Sequence, residues 1–550
     1  MKKQVLITFI LLIGHSLVAA SKPNIVVILA DDLGYGDIAC YGGTRCLIDT
    51  PNIDALARNG LRFTDAHANA SVCGPTRRAL MTGRYPWRFG ATVNNGPWGF
   101  CGPRPNTEKS TLGKVLKRGG YQTGYVGKWH LGTTMVTKDG KKQGLTNVDY
   151  AKPITYGAVQ FGFDYSFILP GSLDMYPYAF LKNNVWQGEV SEQKGWSAFN
   201  RVGPAAKDFE DHKVSETFFV EAENFIGKQS RDQPFFLFLS LTAPHTPVSP
   251  GHKWRGKSKL GIYGDFVMEV DHAVERVMNA LKKQGVDDNT LVLFSSDHGP
   301  APYAGNTLTA TPGQIHQLEA QGHFSSGPFR GYKFSVYEGG LRVPLIAHWP
   351  GVIAKDRSCD ALVGLNDLMA TFAEIADVPL AETEAPDSIS FAMLMRSPAE
   401  KGKRENLIME SVTAFVIRDG DWKLCLCPGS GVPTNLGNAV GNVPFPPRAW
   451  RAALDRVPKP SEDDLLKTPF VQLFNLAEDP RENHNLADKH PDRVKKMVTL
   501  LQDQIEQGRS NPGPRLKNDK RIQIVSTQDR RLPPFVKKAL KPSPQKIPSK

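Results

Sequence analysis

The chain has 550 residues, 40% hydrophobic and 22% charged, with a formal net charge of +12. That length allows one large domain and a smaller one. The charge suggests a nucleic-acid partner, but its location argues against one: Arg515 to Lys550 holds eleven Lys/Arg against two Asp, a net of +9, Lys2 and Lys3 lie in the leader, and the body between them is near +1.

Residues 1–20 read as an export signal. Lys2 and Lys3 precede the mostly apolar run Val5 to Ala20, which ends in the small residues Ala19 and Ala20. The run is short and holds Gly14, His15 and Ser16, which disfavours a membrane-spanning helix. Cleavage after Ala20 would leave Ser21 first, with no cysteine there for a lipid anchor. No later run is long enough to span a bilayer, so the expected location is periplasmic or secreted. There are seven cysteines. Cys40 and Cys46 are spaced so that they can pair, whereas Cys425 and Cys427 cannot without strain or a distant partner. An odd count leaves at least one thiol unpaired or modified.

Four largely apolar runs read as buried strands, and each leads into reactive polar residues. Ile25 to Ala30 runs into Asp31 and Asp32, and Gln122 to Val126 into Gly127, Lys128, Trp129 and His130. Phe235 to Leu241 runs into Pro244 and His245, and Leu291 to Ser295 into Asp297 and His298. Helical patterns lie between them; in Val267 to Leu281 the residues Val270, Val274, Val277 and Leu281 share one face. The predicted fold class is α/β, a large mixed, mostly parallel sheet covered by helices on both faces. Such sheets collect ligands beyond the carboxyl ends of their strands, where these four runs place their reactive groups.

Gly299 to Arg330 is rich in Gly, Pro, Thr and His without periodicity, and reads as a long functional loop. From about residue 401 to 510 a smaller α+β subdomain is expected. Leu407 to Ile417 and Trp422 to Leu426 would be strands around Arg418-Asp419-Gly420, with a further strand at Phe470 to Phe474 and a last helix at Asp492 to Gln507. Residues 511–550 read as a basic, Pro-rich, disordered tail. The catalytic domain is thereby placed at 21–400.

The stretch Ser71 to Arg84 sets the central question. Pro75 suits the first turn of a helix and Gly83 its end. Cys73 then sits at a helix start with unpaired N–H groups and the guanidiniums of Arg77 and Arg78 nearby, an anion-binding arrangement. Asp31, Asp32, Asp297 and His298, brought together, make a site for a divalent cation; oxygen ligands favour calcium or magnesium, and the imidazole admits zinc or manganese. Lys128, His130, His245 and Lys333 add cations and proton carriers, and Arg77 a fork for an oxyanion. Taken singly each is an ordinary surface or backbone-bonded residue, as Asp271 and His272 on their helical pattern are taken to be. Together they suit a small tetrahedral anion. Gly127-Lys128 lacks the glycine and Ser/Thr of a P-loop, His-Glu-x-x-His is absent, and Cys425-Leu426-Cys427 has no second pair for zinc.

Cys73-Gly74-Pro75-Thr76-Arg77, continuing through Leu80, Thr82, Gly83 and Arg84, resembles the Cys-x-Pro-x-Arg signature of type I sulfatases, in the alkaline phosphatase superfamily. Gly127-Lys128-Trp129-His130-Leu131-Gly132 resembles a second motif of that family, and the resemblance runs from about Pro23 to about Gly508. It implies that Cys73 is oxidised to formylglycine by a maturation enzyme, and that the aldehyde hydrate is the nucleophile. It implies calcium on Asp31, Asp32, Asp297 and His298; many members carry Asn where His298 stands. Arg77 and Lys128 would hold the hydrate as an oxyanion, and His130 would take the proton in sulfate release. His245 and Lys333 would contact the bridging oxygen, with His245 as general acid. Lys333 is assigned from Arg330-Gly331-Tyr332-Lys333 followed by Glu338-Gly339-Gly340.

Leu173-Asp174-Met175 and Gly322-His323-Phe324 resemble stretches of bacterial carbohydrate sulfatases related to N-acetylgalactosamine-6-sulfatases. Asp174 and His323 are therefore candidate sugar-binding residues at the pocket rim, with a loop-bracing role as the alternative. The expected activity is hydrolysis of sulfate monoesters on saccharides or aryl groups. It would act from the chain end, on 6-O-sulfated galactose or N-acetylgalactosamine. Alternatives are a phosphate or phosphonate monoester hydrolase and a non-catalytic glycan-binding protein. Neither nucleic acid nor a membrane anchor is expected.

Overall fold

The computed structural model describes residues 22–89, 98–104, 109–197, 200–302, 304, 314–411, 414–431, 468–524 and 534–539. The predicted signal lies outside them. Among the described residues no helix is long and apolar enough to cross a membrane.

A ten-stranded sheet forms the centre. Asn24–Ala30 lies between Phe235–Ser240 and Thr290–Ser296, and Gln122–Lys128 and Tyr165–Leu169 continue beyond Phe235–Ser240, all five parallel. Leu345–His348 runs antiparallel beside Thr290–Ser296 and leads on to Leu61–Phe63 and Arg357–Cys359. Antiparallel Leu181–Lys182 and Val185–Trp186 close the other edge. Every residue of Asn24–Ala30, Phe235–Ser240 and Thr290–Ser296 is buried, as expected of strands covered on both faces.

Successive strand residues point to opposite faces, and two phenylalanines mark both layers. Phe235 meets Phe225 on the helix Val214–Ile226, and Phe236 meets Phe372 on the helix Leu368–Ile375. Ile262–Gln284 packs beside Val214–Ile226, and its Asp271 accepts the N–H groups of Asn52 and Ile53 at the start of Pro51–Arg58. Asp271 thus caps a neighbouring helix.

The C-terminal region holds a four-stranded antiparallel sheet, Asn406–Glu410, Phe415–Asp419, Trp422–Leu426 and Val471–Asn475, with the helix Pro491–Gln507. The single strand expected over 407–417 is two strands, because the chain reverses around Ser411–Ala414. The long loop contains the helix Gln314–Ala320, too short to show a period. No disulfide forms among the described residues, and the expected Cys40–Cys46 pair is not made.

Residues 511–524 do not leave the body. Asn511 donates to the carbonyls of Ala385 and Ser388, Asn518 accepts from Arg88, and Asp519 pairs with Arg84 at 3.4 Å. Val536, in the short helix Pro534–Ala539, is fully buried in the C-terminal core. A disordered tail from 511 is therefore not what these two described stretches form; their own polar and apolar side chains dock them.

Candidate active site

The candidate site lies where the parallel strands end. The helix Cys73–Thr82 begins at the cysteine and is buried throughout, with Gly83 in the left-handed conformation as its C-cap. Thr76 fixes the entry turn, accepting from Ala70 N and donating to Ala70 O. Asp31 N bonds to Ala243 O, Asp32 N to the Asp297 carboxylate at 3.1 Å, and Asp297 N to Ala30 O. Strand ends far apart in sequence are thus tied to one another at the backbone. Asp32, His130 and Phe334 all carry positive φ without being glycine, at +61°, +52° and +74°. Such backbone costs of order 1–3 kcal/mol each and persists where the surroundings over-determine it.

Around Cys73 the charges interlock. Lys128 Nζ lies 2.6 Å from Asp31, and Arg77 lies 3.2 Å from Asp31 and 3.0 Å from Asp297. Lys333 Nζ sits at 2.9 and 2.8 Å from the two oxygens of Asp32 and 3.1 Å from His245 Nε2. Burial alone would raise the Cys73 thiol; Lys128, Lys333 and hydrogen bonds with His130 and His245 outweigh it and hold the thiol well below its ordinary value. Burial also opposes ionisation of Asp31, but Lys128, His245 and Arg77 hold it far down. Whatever occupies position 73 meets a concentrated positive field.

Three carboxylates, Asp31, Asp32 and Asp297, offer oxygens within 4.8 Å of one another, all buried. His298 Nδ1 donates to Gly299 O at 2.9 Å, which leaves the Nε2 lone pair facing Asp32 at 3.1 Å and Asp297 at 3.6 Å. That Nε2 is buried without a hydrogen-bond partner among the described residues. A lone pair so close to carboxylates requires a proton or a cation between them. Burial raises Asp297 to about 6, and Asp297 and Asp32 raise His298 to about 9 against the effect of its burial. Three oxygens and one imidazole nitrogen fit a divalent cation.

His245 is arranged similarly, with Nδ1 on Thr246 O and Nε2 turned to Lys333 and Asp32. Cys73, Arg77, Lys128, His130, His245, Lys333, Asp31, Asp32, Asp297 and His298 thus form one buried cluster. Asp174 is also buried, paired to Arg201 at 3.1 Å, with Oδ1 lacking a partner among the described residues. Its loop follows Pro170, whose carbonyl accepts from His130 N.

His323 does not stand at a rim. It is fully buried, with Nδ1 accepting from Leu47 N and Nε2 2.9 Å from Asp37 Oδ1. Asp37 also accepts from Gly34 N and Tyr263 Oη. His323 therefore braces the loop after Asp32, and both ring nitrogens are engaged. Sequence reasoning missed Asp37, and it missed Ser240, which accepts from Arg77 at 2.5 Å and donates to Lys128 O. A polar residue closing an apolar run was the available signal for Ser240; Asp37 offered none.

Residues 23–378 match the sulfatase family profile. An N-acetylgalactosamine-6-O-sulfatase of Bacteroides thetaiotaomicron is 30% identical over 524 residues, 88% of this chain and 93% of that protein. Human arylsulfatase A is 30% identical over 531 residues, 91% of each chain. A sulfatase structure from work on glycosaminoglycan metabolism by Bacteroides thetaiotaomicron superposes with a TM-score of 0.72 at 29% identity, covering 88% of this chain and 99% of that one. The chain belongs to the sulfatase family and is a sulfuric ester hydrolase.

Proposed function

We propose that the protein is an exported carbohydrate sulfatase that removes sulfate from the end of sulfated saccharides, with residue 73 converted to formylglycine by a maturation enzyme. The observation that carries this reading is the position of Cys73: it opens a buried helix amid Arg77, Lys128, Lys333 and three histidines. The saccharide class rests on the relatives, whose names include N-acetylgalactosamine-6-O-sulfatase, and galactose or N-acetylgalactosamine 6-sulfate is the proposed unit. Export to the periplasm or medium rests on the leader pattern at residues 1–20.

The hydrated aldehyde at 73 would supply one hydroxyl to attack sulfur and a second to expel sulfate. Calcium, held by Asp31, Asp32, Asp297 and His298, would supply charge to neutralise sulfate oxygens. Arg77 and Lys128 keep an oxyanion at 73 stable and oriented. Lys333 and His245 face the ester oxygen, and His245 Nε2 delivers the proton to the departing alcohol. His130, hydrogen-bonded to residue 73, accepts the proton that leaves it as the sulfate departs. Asp174 Oδ1 is proposed as an acceptor for a sugar hydroxyl, because it is buried near the His130 turn without a partner among the described residues.

Side-by-side turnover of 4-nitrophenyl sulfate and 4-nitrophenyl phosphate tests the reaction class. The reading predicts a higher kcat/KM on the sulfate. Preference for the phosphate would overturn it in favour of a phosphomonoesterase.

A further inference from the structure

Beside the reaction centre lies a small cavity open to solvent, lined by Arg78, Arg104, His130, Cys101 and the turn Leu131-Gly132. It shares His130 with the nucleophile, so a group inside it sits next to the ester under attack. The wall carrying Arg104 is fastened to the wall carrying His130. Arg104 N donates to Leu131 O at 2.8 Å and Thr133 N to Cys101 O at 2.9 Å. A Cβ on Gly132 would meet Gly102 O at 2.0 Å, so the two segments touch backbone to backbone.

Two guanidiniums share this cavity. Arg78 is 1% exposed; burial, resisted by Glu410 and aided by the neighbouring charge of Arg104, lowers it to about 10. Glu410 is a weak counter-charge, pushed by burial to about 8, and among the described residues neither of its oxygens has a hydrogen-bond partner. Arg104 Nη1 is buried and likewise has none among the described residues. Like charges facing one another across a cavity, with a donor left over, fit an oxyanion between them.

We propose that Arg78 and Arg104 form a second anion subsite, which takes a carboxylate or a further sulfate carried by the substrate near the ester being cleaved. The inference rests on the sulfatase reading and narrows its substrate to saccharides bearing more than one anionic group. A carboxylate of an adjoining sugar acid and a second sulfate present the same paired oxygens, so the test separates them.

The experiment measures wild type, Arg104→Gln and Arg104→Lys on four compounds. These are 4-nitrophenyl sulfate, a monosulfated hexosamine, the same sugar with two sulfates, and a sulfated disaccharide containing a uronic acid. Each is read as KM, or as Ki against 4-nitrophenyl sulfate. Arg104→Gln should raise KM or Ki by about 10- to 100-fold on a compound with a second anion, the range of a lost charged hydrogen bond. It should change the first two compounds by less than about threefold, and Arg104→Lys should recover part of the loss. A loss confined to the disulfated sugar assigns sulfate; one confined to the uronate assigns carboxylate. Equal losses on all four would overturn the subsite, leaving Arg104 as a support for the His130 turn. No loss on any would overturn it as well. Wild type that turns over none of the four would defeat the sulfatase reading itself, and the subsite with it.

Discussion

Lys423→Met should destabilise the fold strongly, and more at higher pH. Lys423 is fully buried and lies 2.8 Å from both Glu338 and Glu482. Glu338 also holds His67 at 2.9 Å and Arg342 at 2.7 Å, and its backbone N–H donates to Glu482 at 2.7 Å. The hub joins the C-terminal sheet to the segment that carries Lys333, five residues before Glu338. Removing the ammonium leaves two facing carboxylates in a dry site, and breaking a buried pair in this way costs about 3–5 kcal/mol. In the native protein burial raises Glu482 to about 7 while Lys423 restrains it, so its penalty levels off near that pH. Without Lys423 the folded value lies higher still above the unfolded one. The folded state then keeps its proton while the unfolded state loses it, and stability keeps falling by about 1.4 kcal/mol per pH unit above 7. Urea midpoints at pH 7 and pH 8, followed by tryptophan fluorescence, give both quantities. Lys423→Met with Glu482→Gln should recover much of the loss and flatten its pH dependence. A loss below about 1 kcal/mol at pH 8, or no recovery in the double variant, would refute the reasoning.

His245→Ala should slow a sugar sulfate by about 10²–10⁴-fold but 4-nitrophenyl sulfate by less than about tenfold, since only the alkoxide needs a proton to leave; equal losses would remove His245 as the acid. His323→Ala should impair both substrates alike and lower the melting temperature, because it frees the Asp37 brace beneath Asp32; a saccharide-specific loss would return it to the pocket rim. Glu269→Gln concerns a carboxyl that burial raises to about 8, against an N–H from Gly251 at 3.3 Å. From about pH 4.5 to 8 the unfolded state ionises while the folded state keeps the proton, so wild type loses stability as pH rises. The variant should therefore gain on wild type by up to roughly 4 kcal/mol between pH 5 and pH 8 in thermal melts, and a constant difference would contradict the assignment.

The strand-end parts of this site were legible because their reactive residues stand directly after apolar runs. Asp31-Asp32 and Asp297-His298 follow strands buried on both faces, and the parallel sheet brings those ends together. The Cys73 helix was legible because Pro75 and Gly83 mark its ends in the chain itself. What escaped depends on pairings across long separations. His323 and Asp37 lie 286 residues apart, Lys423 and Glu338 85, and Arg84 and Asp519 435. Nothing local distinguishes a histidine that braces a loop from one that reads a sugar. The reversal at Ser411–Ala414 carries neither Gly nor Pro, so two strands read as one. The basic composition after 511 concealed single anchors, Asn511, Asn518 and Asp519, that dock the chain.

The central claim is that residue 73 works as an aldehyde, and its mass tests this most directly. Trypsin cuts after Arg62 and Arg77, so one peptide, Phe63 to Arg77, contains Cys73 as its sole cysteine. Protein should be made with a formylglycine-generating enzyme, and several preparations compared for peptide mass and for turnover of 4-nitrophenyl sulfate. The account predicts a peptide that has lost sulfur and two hydrogens and gained one oxygen, in a fraction that tracks activity across preparations. Full activity in protein whose peptide retains the intact thiol would contradict it.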